Sequence, residues 1–288
     1  MTVFDFINNL CCPDDRGDLH PKGSELECER CGRIFEVGFE GICANLLPSK
    51  KFERKADSFI EKRSVEIYSR LFDEPFVKKQ NPTPWGLEVP SWYVPKLNKH
   101  KYVIDKVLDN RIFERAIDIS TGSGRFSWDL ANRADVFVFS DISVDSALYL
   151  SERILEERVK NAIVVRCDYM SPPFKNDTFS FVLCNDTAIY GYEHEMGILR
   201  TIQRILFPTK GIAIVDLCNK YHRGFWHKPY TSAYSKKEME IMLKMIGYYI
   251  QMEFPLYYEL DKDLDERTLF SRISHIPEIN MPKIHLTY

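Results

Sequence analysis

From residue 112 onward, short β-branched and aromatic runs alternate with amphipathic stretches, and this alternation limits the possible folds more than any other feature. The runs are AIDIS (116–120), VFVFS (136–140), AIVVR (162–166), FSFVLC (179–184) and GIAIVDL (211–217). Between them the spacing predicts helices over Arg125–Asn132, Val144–Val159, His194–Leu206 and Ser235–Ile246. Runs this apolar are strands buried on both faces, and buried strands joined by helices imply a parallel sheet covered on both sides. The chain is an α/β protein by this pattern. Its 288 residues are 44% hydrophobic and 28% charged, enough to bury a sizeable core. At about 150 residues per domain the length suggests two units. The formal net charge of −3 excludes a strongly basic nucleic-acid coat protein, although not a local basic patch.

The first run leads into Asp118-Ile-Ser120-Thr-Gly122-Ser-Gly124, with a helix expected next. Gly122 and Gly124 let the backbone turn tightly and approach a ligand, and Ser120 stands where a three-glycine fingerprint has its first glycine. The second run ends in Asp141, where an acid can accept both ribose hydroxyls of a nucleoside. The third leads to Cys167-Asp168-Tyr169; an acid there can accept from an adenine amino group, while Tyr169 or Ile142 covers a ring face. A single such aspartate would read as a helix cap. Three at successive strand ends, beside a glycine turn, read as a nucleotide site.

AIDISTGSGRFSWDLA resembles motif I of class I S-adenosylmethionine-dependent methyltransferases. FSDISVDSALYLSERI, VVRCDYMSPPFKNDTFSFVLC and ILRTIQRILFPTKGIAIV are similar to later segments of that family, in the same order. The resemblance, of the type 11 kind, covers roughly residues 112–253 and implies a Rossmann-like, mostly parallel sheet with an antiparallel last strand. That strand is expected near Thr268–Ser274, after a helix and a first strand in SKKEMEIMLKMIGYYIQMEF. It implies S-adenosylmethionine as cofactor, held by Asp118, Ser120, Gly122, Gly124, Asp141, Ile142, Asp168, Tyr169 and Asn185. Two departures are Ser120 for glycine and Thr209-Lys210-Gly211 for the usual double glycine.

Cysteine is unevenly used. Of eight, Cys11, Cys12, Cys28 and Cys31 fall in the first 31 residues. Residues 1–48 carry little apolar material, with LEC and RIFEV as short strands and turns at Lys22-Gly23 and Cys31-Gly32; such a segment needs a staple. Cys12, Asp15, Cys28 and Cys31 make a C-x₂-D…C-x₂-C pattern that offers zinc four ligands in two turns, with Cys11 or His20 as the other candidates for the fourth. The segment resembles zinc-ribbon heads that precede some methyltransferase domains, including certain rRNA guanine methyltransferases. This implies a structural zinc.

The chain thus divides into a ribbon-like segment (1–48), a helical and Pro-rich connector and lid (49–110), and a cofactor-binding domain (111–288). In the family the acceptor approaches across the ends of the fourth and fifth strands, here Asn185–His194 and Asn219–His222. A base is needed only if the acceptor must lose a proton. His222 and His194 are the candidate bases, and Tyr190 a candidate to orient the acceptor. The expected function is methyl transfer to a small-molecule metabolite. The alternatives are an RNA base methyltransferase, motivated by Lys50-Lys51, Arg54-Lys55 and Lys62-Arg63, and a non-catalytic binding module. The start lacks a basic signal-peptide region and no apolar run nears the ~18 residues of a membrane span, so a cytoplasmic location is expected. Oligomeric state is not legible.

Overall fold

The structure, a computed structural model, describes residues 1–53, 59–73, 94–185, 187, 195–219, 233–254 and 283–287. Its first strands are β1 (Leu19–Lys22), β2 (Glu25–Cys28), β3 (Ile34–Phe35), β4 (Val37–Gly38) and β5 (Cys43–Asn45). Helices α1 (Phe59–Asp73) and α2 (Val94–Leu108) follow. Next come β6 (Phe113–Ile119), β7 (Ala134–Asp141), α3 (Val144–Glu156), β8 (Ala162–Arg166), β9 (Phe181–Cys184), α4 (Glu195–Ile205) and β10 (Ile212–Asp216). Beyond these lie β11 (Cys218–Asn219), β12 (Ala233–Tyr234), α5 (Lys236–Ile246), β13 (Tyr249–Phe254) and β14 (Lys283–Thr287).

The five apolar runs are β6 to β10, and they form the middle of a nine-stranded sheet ordered β13-β14-β10-β9-β6-β7-β8-β5-β4. The order reverses at β6, which pairs with β7 on one side and β9 on the other, both parallel. Such a reversal opens a crevice beyond the carboxyl ends of the strands. Burial alternates along each strand. Val138, Val165, Val182 and Val215 join one apolar cluster, and their neighbours Phe137, Val164, Phe181 and Ile214 join the other. Helices α2 and α3 cover the second cluster's face through residues such as Ile104, Val107, Leu150 and Ile154. The first is covered by α4 and α5 and by the N-terminal segment, whose Val3, Phe6, Leu10, Leu26 and Phe35 are all at most 2% exposed.

Local sequence sets the helix ends. Ser143 caps α3 by accepting from the Ser146 N–H, and α5 opens on a capping box of Ser235 and Glu238 and closes on Gly247 in the left-handed region. Two expectations differ from what is found. The segment expected to be a helix over Arg125–Asn132 is a 3-10 helix at Trp128–Arg133, because its first residues are used in the glycine turn and only a short stretch is left before β7. The last strand, β14, runs parallel to both β10 and β13, not antiparallel. Residues 255–282 lie between β13 and β14, long enough for the crossover that parallel pairing requires. Thr268–Ser274 lies outside the described residues.

The N-terminal segment has its own antiparallel sheet, β1-β2-β3, but β5 pairs in parallel with β8 and extends the main sheet. Arg16 Nη1 and Nη2 donate to the carbonyls of Pro172 (2.9 Å) and Phe174 (2.5 Å), and Arg204 Nη1 donates to the same Phe174 carbonyl (2.6 Å). Ser171 Oγ donates back to Pro13 O at 2.7 Å.

Candidate active site and metal centre

The turn after β6 is built as the sequence requires. Ser120, Gly122 and Gly124 have φ of 58°, 57° and 75°, all in the left-handed region. For Ser120 this conformation costs about 1 kcal/mol, strain of the kind found where backbone must fit a ligand. A Cβ on Gly124 would sit 3.1 Å from Leu150 Cδ2, so the turn also needs glycine to pack on α3. The Gly122 N–H donates to Asp141 Oδ2 and the Ser143 N–H to Asp141 Oδ1, each at 2.8 Å. Asp141 therefore ties the turn to the end of β7, while a carboxylate's further lone pairs remain for other donors. Burial raises its pKa, opposed by these N–H groups.

Asp118, 3% exposed, lies deeper and accepts from Thr121 Oγ1 at 2.8 Å. Burial pushes its pKa up to about 7, against the hydroxyls of Ser127 and Thr121, with the Asp141 charge adding to the rise. Two strand positions beyond Leu183, the partner of Asp118, stands Asn185. It is 4% exposed, and neither atom of its amide has a partner among the described residues. Two buried orphan groups cost free energy unless a ligand meets them. Thr187 Oγ1 lies 3.0 Å from the Asn185 carbonyl and 3.4 Å from that of Ile119, which puts this segment against the end of β6.

At the end of β8, Asp168 is 1% exposed. Its Oδ1 accepts from the Met170 N–H at 2.9 Å, and its Oδ2 accepts from the hydroxyl of Tyr68 on α1. Arg166, also 1% exposed, donates from Nε to Ile142 O (3.0 Å) and from Nη2 to Leu71 O (2.9 Å), linking the end of β7 to α1. Ile142 and Tyr169 are half-buried. The nine expected cofactor positions are thus at the carboxyl ends of β6, β7, β8 and β9. His222, Tyr190 and His194 lie outside the described residues. Tyr68 and Arg166 escaped sequence reasoning. Tyr68 reads only as one apolar position of a helix, whereas a charge closing the apolar run AIVVR was a signal for Arg166.

The four expected metal ligands do converge. The ligand atoms of Cys12, Asp15, Cys28 and Cys31 all lie within 4.8 Å of one another. Cys12 Sγ and Cys31 Sγ are 3.7 Å apart, and Cys28 Sγ is 3.4 Å from Asp15 Oδ1. A tetrahedron with metal–sulfur bonds of about 2.3 Å and metal–oxygen bonds of about 2.0 Å has edges of about 3.8 and 3.5 Å, so these two edges match a zinc site. Burial raises the thiol pKa of Cys12 to about 12, so thiolate there calls for a cation. Asp15 is kept low chiefly by the Gly17 N–H, which donates to its Oδ1 at 2.8 Å. A Cβ on Gly17 would fall 2.8 Å from Cys28 Sγ. His20 instead pairs with Glu29 at 3.2 Å, and the Cys11 N–H donates to Pro173 O at 3.0 Å.

Residues 116–209 match the family described as a methyltransferase domain, and residues 4–37 match the Trm112p-like protein family. Among curated proteins none matches the chain. Among solved structures, the chain is similar to the YcgJ protein of Bacillus subtilis, at 17% identity over 52% of this chain and 68% of that one, with a TM-score of 0.45. Magnesium protoporphyrin IX methyltransferase of Synechocystis PCC 6803, solved with bound S-adenosylhomocysteine, is 13% identical over 66% of this chain and 86% of that one, TM-score 0.44. Phosphoethanolamine N-methyltransferase 2 of Haemonchus contortus, solved with S-adenosylmethionine, is 18% identical over 52% of this chain and 36% of that one, TM-score 0.45. Residues 116–209 are thus a methyltransferase domain, and residues 4–37 a Trm112p-like, zinc-ribbon-like head.

Proposed function

We propose that the protein methylates a small-molecule acceptor in a pocket covered by the N-terminal lobe and the connector. The observation that carries this reading is the position of α1, whose Leu71 carbonyl accepts from Arg166 at the end of β8 at 2.9 Å, so that the connector lies over the strand ends. Strand ends partly covered by the chain's own connector suit a metabolite better than a folded polynucleotide. Of the basic run that favoured RNA, Lys51 ion-pairs with Asp73, which leaves less charge for phosphates.

In this reading residues 1–48 are a zinc-ribbon-like head, 49–110 a connector and lid, and 111–288 the cofactor-binding domain. Asp141 accepts the ribose hydroxyls, Asp168 the adenine amino group, and Ile142 and Tyr169 border the ring. Ser120, Gly122, Gly124 and Asn185 meet the amino-acid end, above Asp118. S-adenosylmethionine, when bound, supplies a methyl group on a sulfonium. The chain aligns the acceptor for in-line attack and excludes water, and these effects can supply most of the rate. His222 and His194 are proposed bases for an acceptor that must lose a proton, and Tyr190 a group that orients it. Cys12, Asp15, Cys28 and Cys31 hold a structural zinc. No helix among the described residues is long and apolar enough to cross a membrane, and a cytoplasmic location, where thiols stay reduced, suits this ligand set.

The test is transfer of radiolabelled methyl groups into a cell extract split into small-molecule and RNA fractions. Label in the small-molecule fraction, resistant to ribonuclease, is expected. Label confined to RNA, with binding that weakens steeply as salt rises, would replace this reading with the RNA one.

A further inference from the structure

Helix α1 is joined to the sheet in an unusual way. Tyr68 is 7% exposed, yet it belongs to neither of the two apolar clusters that build the core. Its hydroxyl donates to Asp168 Oδ2 and accepts from the Phe52 N–H at 3.1 Å, forming a relay from the connector through the helix to the acid. The next turn is held by Arg166, which donates to Leu71 O at 2.9 Å, and the helix end by the ion pair of Lys51 with Asp73. Among the described residues these ties are polar. Ties of this kind cost little to exchange for other polar partners, whereas an apolar interface is costly to open.

Asp168 has one oxygen on the Met170 N–H and the other on Tyr68, and it is sealed to 1% exposure. Asp168 has lone pairs to spare, but it is sealed beneath Tyr68, so an adenine amino group reaches it only when the Tyr68 side chain moves aside. We propose that α1 is a donor-operated gate: Tyr68 occupies the adenine acceptor in the closed form, and S-adenosylmethionine binds by displacing Tyr68 from Asp168, which releases the helix. The inference rests on the assignment of Asp168 to adenine made above. It goes beyond that assignment in making Tyr68 a competitor of the donor and in coupling the donor to the position of the connector. The donor then pays for opening the gate in each binding event, and its apparent affinity is lowered by the closed fraction.

The test uses the full-length, zinc-loaded chain. S-adenosylhomocysteine binding is measured by calorimetry for the wild type, Tyr68→Phe and the double variant Tyr68→Phe/Asp168→Ala, and hydrogen exchange of residues 59–73 is followed in the wild type with and without ligand. Removing one hydrogen bond to a charged acceptor from the closed form should tighten binding about 10-fold in Tyr68→Phe. Exchange across α1 should speed up when ligand binds. Equal or weaker binding by Tyr68→Phe, or an α1 that becomes more protected on binding, overturns the gate. Equal binding by Tyr68→Phe and Tyr68→Phe/Asp168→Ala overturns the site assignment instead. No binding to either the wild type or Tyr68→Phe overturns both.

Discussion

The buried carboxyl at the end of β6 gives the protein a pH-dependent weakness that one substitution should remove. Asp118 is 3% exposed, and burial moves its pKa from the ordinary 3.8 to about 7. Between those values the folded chain holds a proton that the unfolded chain releases, so stability from this group is complete below about pH 4 and lost as pH rises through about 7. Each pH unit is worth about 1.4 kcal/mol for one proton, so the interval of about three units sets a ceiling of about 4 kcal/mol. Asp118→Asn keeps a neutral group of the same shape, with an oxygen able to accept from Thr121 Oγ1 as the aspartate does at 2.8 Å. It also removes the charge that faces Asp141, whose own pKa is raised first by burial. Urea unfolding of both proteins at about pH 5 and about pH 8 separates this group from all others, because those titrate in both. The wild type should lose a few kcal/mol relative to the variant across that range, and the variant should be the more stable protein at the alkaline end. Parallel pH profiles, or a variant that is less stable at about pH 8, would show that Asp118 is ionised or solvated in the folded state, and the argument would fail.

Three further outcomes follow from the site. Asn185→Leu removes two buried amide atoms that lack partners among the described residues; it should raise ligand-free stability by about 1 kcal/mol while weakening S-adenosylmethionine binding at least about 10-fold, read by thermal melts and calorimetry. Ser120→Gly removes the left-handed strain of a residue at φ 58° and should raise the unfolding free energy by about 1 kcal/mol, read by urea titration; a loss of stability would mean that the serine side chain outweighs its strain. Gly17→Ala places a methyl group 2.8 Å from Cys28 Sγ, and should lower the zinc content of purified protein and cost about 1–3 kcal/mol, checked by metal analysis and melting.

The parts that sequence reasoning reached are those whose signal is local. β8 is AIVVR because a strand buried on both faces tolerates only such residues, and Ser235 with Glu238 announces the start of α5 by itself. The paired turns of Cys12-x-x-Asp15 and Cys28-x-x-Cys31 likewise carry their spacing in the sequence, and their ligand atoms lie within 4.8 Å of one another. What escaped depends on contacts between distant segments. The direction of β14 is set by its pairing with β10 and β13, which no short window records. The bond from Tyr68 to Asp168 joins residues 100 positions apart, and a tyrosine on an amphipathic helix has the same appearance whether it fills core or caps an acid. The pairing of β5 with β8 was hidden for the same reason: Cys43–Asn45 is too short to read as a strand except beside its partner.

That pairing changes what the head does for the rest of the chain. A parallel crossover normally carries a helix that covers the sheet, yet residues 167–180, between β8 and β9, contain none. The space is filled by the head. Leu10 bridges to Phe174, and Phe6 lies 6.1 Å from Phe179, which in turn packs edge-on against Phe174 at 5.2 Å. Phe174 and Phe179 are at most 1% exposed only because this cover exists, and β8 has no open edge only because β5 occupies it. Exposing two such phenylalanines costs about 3–6 kcal/mol, a large part of the 5–15 kcal/mol that holds a typical domain folded. A chain of residues 49–288 should therefore be insoluble or molten by itself, and co-expression of residues 1–48 as a separate polypeptide should recover a soluble complex in which the two co-purify. Zinc chelation should weaken that complex, since the head has too small a core to stay folded without its metal. A soluble, sharply melting 49–288 chain would refute this, and would make the head an appendage of the methyltransferase sheet instead of one of its walls.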